Sequence, residues 1–250
     1  MISLIFGRTD IGLVREANED TIFYDDGFGM MIVADGIGGH ARGDEASQTA
    51  VETIKSFIYK QINFYSDKQR LLKDAFHKAN LAVHAIQENL EAGAICGTTL
   101  TCALLSDGYL YFAHIGDTRI YVSRGKEDIE QITFDHTYIS ELARNDFKTF
   151  VELQSKGTLS SHNYLTKAIG PDETVEPQVG RFRLMPNDYI ILLTDGIYRY
   201  IKPLDVLKML KNTDNIHEFV DSLMKTALDM GGKDNLSVVV GVFPERGVKL

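Results

Sequence analysis

VADGIGGHARGDEAS, residues 33–47, decides how the rest of the chain is read. It sets four glycines, one histidine and three carboxylates between an apolar run, MMIVAD at 30–35, and the start of a helical pattern. Gly36, Gly38 and Ala41 satisfy the G-x-G-x-x-A form of the dinucleotide-binding fingerprint, whose glycines let a backbone turn closely around a pyrophosphate. That fingerprint belongs to a parallel sheet and needs a second strand, ending in an acid, roughly 20 residues further on. No such strand follows. From Asp44 onward, Ala46, Ala50, Ile54, Phe57, Ile58 and Ile62 recur at spacings of three or four, which predicts a helix ending near Phe64. Leu72, Ala75, Phe76, Ala79, Val83, Ile86 and Leu90 repeat the stripe up to Gly93, so a helical pair fills residues 44 to about 91.

Short strands are expected around 2–6, 21–24 and 30–34, before that pair. After it the sequence reads as a meander: GTTLTCALL, a Ser-Asp-Gly turn, YLYFAHI, a Gly-Asp turn, TRIYVSR and a strand around 129–133. Connections this short cannot cross over a sheet, so the pairing is antiparallel. Residues 136 to about 175 are mixed, with a helical pattern in TYISELARN and turn signals at Gly157 and Pro171, and suggest a flap-like insertion. YIILLTD at 189–195 resumes the strands, 203–229 carry two helical stripes, and LSVVVGVF ends the pattern as a buried strand.

Length and composition bound the function. A chain of 250 residues, 44% hydrophobic and 24% charged, suits one globular domain, taken as 1–250. With 26 basic against 35 acidic residues the formal net charge is -9, which disfavours nucleic acid and anionic membranes and favours cations. Cys96 and Cys102 lack metal-type spacing and fit reduced core residues. No stretch reaches the ~18 apolar residues of a membrane span, and MISLIFGRTD does not read as a leader, so a cytoplasmic protein without membrane insertion is expected. No heptad seam calls for assembly, and a monomer is expected.

Aspartates mark the ends of apolar runs: Asp35 ends MMIVAD, Asp117 ends YFAHIGD and Asp195 ends IILLTD. Asp20 and Asp234 stand before such runs, in NEDTIFY and GGKDNLSVVV. In an antiparallel sheet the start of one strand lies beside the end of the next, so these acids can gather at one edge. Any one Asp-Gly pair is an ordinary turn signal. Several converging carboxylates repel one another and call for a cation, and an all-oxygen donor set suits Mg²⁺ or Mn²⁺ better than Zn²⁺. Gly36, lacking a Cβ, can bring its carbonyl oxygen close to such an ion. The EF-hand and P-loop patterns are absent from the sequence.

The sequence resembles the metal-dependent protein phosphatases of the PPM, or type 2C, class, particularly their compact bacterial branch. The resemblance is carried by VREANED at 14–20, VADGIGGH at 33–40, GTTLTCALL at 97–105, HIGDTRIY at 114–121, TFDHT at 133–137, LLTDGIY at 192–198 and GGKDNLSVVV at 231–240. It implies an α+β fold, a four-layer αββα sandwich of two antiparallel sheets flanked by helical pairs. It also implies hydrolysis of phosphoserine and phosphothreonine in proteins by a water activated on two metals, attacking in line without a phosphoenzyme. The expected cofactors are two Mn²⁺ or Mg²⁺ ions, with a third as an option, and the expected role is to counteract a bacterial Ser/Thr kinase.

By position, the resemblance makes Asp35 the bridge between both metals, with Asp195 and Asp234 completing the first and the Gly36 carbonyl joining the second. Glu19 and Asp20 would act mainly through bound water, and Asp117 would join Asp195 at a third, weaker metal. Arg15 matches the phosphate-binding arginine, whose planar guanidinium can hold two oxygens at once; the bland alternative is an ordinary surface ion pair. His40 stands either as general acid to the leaving oxygen or as a structural, water-ordering residue. His136 reads as orienting a neighbour and His114 as a sheet residue beside the site. The chain departs from the family at Asp44, where Glu is common, and at Thr137, where Ser is common. A pseudophosphatase using this fold to bind rather than to react is the competing function, weakened by the full set of acids.

Overall fold

The structure, a computed structural model, describes residues 4–38, 42–91, 94–159 and 164–243. Its strands are β1 (Leu4–Asp10), β2 (Asp20–Asp25), β3 (Met30–Ile37), β4 (Gly97–Thr98), β5 (Leu100–Ser106), β6 (Tyr109–Ile115), β7 (Arg119–Ser123), β8 (Glu130–Gln131), β9 (Gln178–Arg183), β10 (Tyr189–Leu193) and β11 (Leu236–Val242). Its helices are α1 (Gly43–Gln61), α2 (Lys68–Gln87), α3 (Tyr138–Asn145), α4 (Phe147–Ser155), α5 (Asp195–Tyr198), α6 (Pro203–Lys211) and α7 (Ile216–Asp229). One sheet has the order β1-β11-β10-β7-β8; the other runs β2-β3-β5-β6-β9, with β4 paired to β3. The strand pairs are antiparallel.

Side-chain alternation produces the layers. Along β3, Met30, Ile32 and Ala34 pack with Ala50, Ile54, Leu72 and Phe76 of α1 and α2. Met31 and Val33, one residue out of step, pack with Ile190, Leu192 and Val239 of the other sheet. In that sheet Ile191, Leu193, Val238 and Val240 face Phe219, Val220 and Leu223 of α7. Both faces of the central strands are therefore covered, which is why they read as continuous apolar runs rather than alternating ones. The result is the expected four-layer αββα sandwich.

Local signals agree with the helices. Asp44 and Glu45 lie in the first turn of α1, where acids suit the positive end of the helix dipole. The Asp67 side chain caps α2 by accepting from Gln69 N, and Asn215 caps α7 by accepting from Glu218 N. α1 ends at Gln61 and passes into a 3-10 turn, Ile62–Phe64.

Several elements differ from the sequence reading. β1 continues to Asp10, where pairing with Leu236 of β11 extends it through polar residues. β9 is an edge strand whose QVGRFR is half exposed, so it carries little apolar pattern. The strand expected at 129–133 shrinks to β8, and residues 136–175 hold α3 and α4, of which only the first was visible as a pattern. Asp195 opens the one-turn helix α5 rather than ending a strand.

Leu192 is fully buried between the sheets. Truncation of Leu192 to Ala is expected to cost roughly 2–5 kcal/mol, read as a lower urea midpoint with an unchanged slope.

Candidate active site

Strand register brings the acids to one end of the sandwich. Asp20 at the start of β2 lies opposite Asp35 near the end of β3. In the other sheet the end of β10 meets the start of β11, with Leu193 opposite Val238, so Asp195 and Asp234 follow and precede neighbouring strands. Asp117 sits in the turn between β6 and β7 at the same end, because Ile115 pairs with Leu100 and Arg119 with Leu193. One cleft is lined there by Arg15, Glu19, Asp35, Gly36, Asp117, Asp195 and Asp234. Asp20 is buried behind it: Thr194 Oγ1 donates to its Oδ2 at 3.0 Å, while its Oδ1 has no partner. His40 lies outside the described residues.

The backbone around the cleft is tightly fitted. A Cβ at Gly36 would stand 2.4 Å from Gly43 O and 2.7 Å from Glu19 O, so only glycine lets β3 pass between β2 and the start of α1. Thr99 Oγ1 accepts from Asp35 N at 2.9 Å, and Thr99 N donates to Asp35 O at 2.8 Å. Asn235 ties down the loop between β1 and β2, accepting from Glu19 N at 2.9 Å and donating to Ile11 O and Ala17 O.

Charge is concentrated here. Burial, followed by repulsion from neighbouring acids, holds Asp35 well above the ordinary carboxylate range. Burial raises Asp20 and Asp195 to about 7 each; Ser237 and Thr194 oppose the rise at Asp20, and Asp117 adds to it at Asp195. Two guanidinium groups answer these charges: Arg15 Nη2 lies 2.8 Å from Asp234 Oδ1, and Arg199 Nη2 lies 2.5 Å from Asp195 Oδ2. As the side chains stand, no three acids, His or Cys among the described residues close into a ligand set; the acids line a cleft instead. The donors nevertheless fit a hard divalent cation, being oxygens whose crowding demands positive charge and including the orphaned Asp20 Oδ1.

The model of the family described as Protein phosphatase 2C matches residues 15–240. The chain belongs to the protein phosphatase 2C family. It is thus one of the metal-dependent protein serine/threonine phosphatases. It is similar to protein phosphatase PhpP of Streptococcus pneumoniae, 29% identical over 93% of this chain and 94% of PhpP. Among solved structures, the catalytic domain of the serine/threonine phosphatase PstP, crystallised with two manganese ions, superposes with a TM-score of 0.81 at 28% identity, covering 98% of this chain and 99% of that one. Stp1 of Staphylococcus aureus gives 0.82 at 30% identity, covering 97% and 96%.

Several residues of this 2C phosphatase site were not anticipated. Arg199 follows Asp195 by one helical turn, an i,i+4 spacing that could have flagged it. Thr99 and Asn235 act through backbone bonds, which no side-chain pattern announces. The described histidines do not line the cleft. His114 and His136 are stacked behind it, with ring centroids 5.1 Å apart, and His136 clamps Gly116, its backbone N–H donating to Gly116 O and its ring Nδ1 accepting from Gly116 N. Gly116 needs its φ of 102° to make the turn that carries Asp117.

Gly36→Ala is expected to force the backbone apart and destabilise the fold by about 1–3 kcal/mol, measured by urea denaturation. His114 supplies a pH-dependent check. Burial and then His136 push its imidazole down to about 3 from an ordinary 6.5. A base depressed by folding takes its proton preferentially in the unfolded chain, so its stability contribution is complete above about pH 6.5 and is lost as pH falls towards about 3. The raised acids titrate with the opposite sign, so the comparison must be a difference. In chelator, the stability of His114→Gln is expected to fall less steeply below about pH 6.5 than that of the parent, by about 1 kcal/mol per pH unit in urea midpoints.

Proposed function

We propose that this cleft hydrolyses phosphoserine and phosphothreonine in proteins using two Mn²⁺ or Mg²⁺ ions, with a third bound more weakly. The observation that carries the reading is the gathering of Glu19, Asp35, Asp117, Asp195 and Asp234 with Arg15 in one cleft. Asp35 would bridge the two ions, Asp195 and Asp234 would complete the first, and the Gly36 carbonyl would join the second. Glu19 and Asp20 would act through bound water, and Asp117 with Asp195 would hold the third. When bound, such ions acidify water and orient it for in-line attack on phosphorus, so no phosphoenzyme is needed.

The chain's own residues do the remaining work. Arg15 holds two phosphate oxygens through its guanidinium plane, and its present pairing with Asp234 keeps it at the edge of the cleft. The oxygens of Asp234 and Asp195 that would hold the ions now pair with Arg15 and Arg199, so in the metal-loaded site these two guanidinium groups would be available to the substrate phosphate. His40, the histidine of the Val33–Ser47 stretch, is the candidate donor to the leaving oxygen, with water ordering as its other role. The segment 136–175, carrying α3 and α4, acts as a flap; its Leu165 lines the cleft. The protein works as a single-domain monomer against proteins phosphorylated by a bacterial Ser/Thr kinase; its similarity to a pneumococcal protein phosphatase supports phosphoproteins as the substrates. Among the described residues no helix is long and apolar enough to cross a membrane.

Turnover of a phosphothreonine peptide is expected to vanish on chelation and return with Mn²⁺; activity that persists without metal refutes the mechanism. Asp35→Asn and Asp234→Asn should each lower that turnover by about 100-fold or more while circular dichroism stays unchanged. Mn²⁺ should also raise the unfolding temperature of the parent more than that of Asp35→Asn, since a ligand of the folded state stabilises it.

A further inference from the structure

Behind the cleft, a stack of buried side chains ends on Asp117. The Tyr198 hydroxyl donates to Asp117 Oδ2 at 2.9 Å. The Arg119 guanidinium lies over the Tyr198 ring, 3.7 Å from its centroid. Arg119 is itself locked on Asp135, its Nε 3.1 Å from both carboxylate oxygens and its Nη2 2.7 Å from Oδ2. Its Nη1 donates to the Tyr121 hydroxyl, and Asp135 Oδ1 also accepts from Gln131 Nε2 at 2.9 Å. A ring held on one face by a fixed cation has little freedom to swing its hydroxyl. Asp117 is therefore held through one oxygen, leaving the other for the cleft that it lines.

Tyr198 has a second connection. It closes α5, the single helical turn that Asp195 opens, so one short element carries Asp195 and orients Asp117. Nothing in the roles assigned above uses this tyrosine.

We propose that Tyr198 is a positioning residue for the weakest cation site, holding Asp117 in place beside Asp195 from a base formed by Arg119 and Asp135. The proposal rests on the metal reading of the cleft. Outer partners that hold a ligating carboxylate typically govern metal affinity by 10–100-fold. Removing the hydroxyl while keeping the ring should therefore act on one ion and spare the fold.

The test is Mn²⁺ binding to the full chain without substrate, read by calorimetry and by the electron paramagnetic resonance signal of free Mn²⁺. The parent, Tyr198→Phe, Asp117→Asn and the double variant are compared, with unfolding temperature as control. The expected result is about a tenfold weaker last Mn²⁺ in Tyr198→Phe, unchanged tighter ions, and a double variant no worse than Asp117→Asn alone. If Tyr198→Phe binds like the parent while Asp117→Asn loses the last ion, the tyrosine only packs, and the proposal falls while the metal reading stands. If neither variant changes Mn²⁺ binding, the role of Asp117 falls and the proposal with it. Equal weakening of every ion in Tyr198→Phe also overturns it, because the residue would then support the whole end of the sandwich.

Discussion

Mutual repulsion among carboxylates confined at one end of a β-sandwich is the constraint on which this structure turns. Burial alone makes each acid costly to ionise, and each neighbour raises the cost further. Asp20 and Asp195 are driven to about 7 and Asp35 is driven up in the same direction, so the end of the sandwich holds negative charge that the fold by itself does not favour. A packed core of Ile, Val, Leu and Phe in three apolar layers can carry this local penalty. The penalty also creates the chemistry, because a cation that relieves it is bound by the same repulsion.

The way the acids are held explains how the site can be both charged and ordered. Backbone contacts fix the segments that carry Asp35 and Glu19: Thr99 brackets Asp35, Asn235 binds the Glu19 amide, and Gly36 threads between Glu19 and Gly43. Arg15 and Arg199 then balance charge from the exposed side of the cleft. The arginine end of each pair is about half exposed while the carboxylate end is largely covered, so solvent screens the cation more than the acid.

A second polar layer supports the first. Thr101 Oγ1 meets His114 Nδ1 at 2.8 Å, His114 stacks on His136, and His136 holds both backbone groups of Gly116 just before Asp117. Tyr198 of α5, its ring braced by Arg119 of the other sheet, reaches the same aspartate. The two sheets are thus joined at this end by polar contacts, as they are joined in the middle by Met31, Val33, Ile190 and Leu192. Displacement of either sheet would misplace Asp117 relative to Asp195.

Much of this was legible in the linear chain. Helical stripes at 44–91, short turns through the meander and aspartates at the ends of apolar runs depend on neighbours in sequence, so periodicity and turn chemistry alone determined the helical pair, the antiparallel pairing and the acidic edge, while the four-layer sandwich came from the resemblance to a known family. The seven motif blocks in order pointed to the family. Other features depend on which strands become neighbours, and only the tertiary structure decided them. QVGRFR became β9 because an edge strand needs pairing on one side only and can stay half exposed. Asp20 lies behind the cleft rather than on it because the register sets it opposite Asp35 and under Thr194. Asn235 and Tyr198 gained their roles from groups far away in the chain, at separations no local pattern encodes. The sequence determined which chemistry could gather at the sheet ends; packing decided which atoms face the cleft, because hydrogen-bond and ring contacts exist only once distant segments meet.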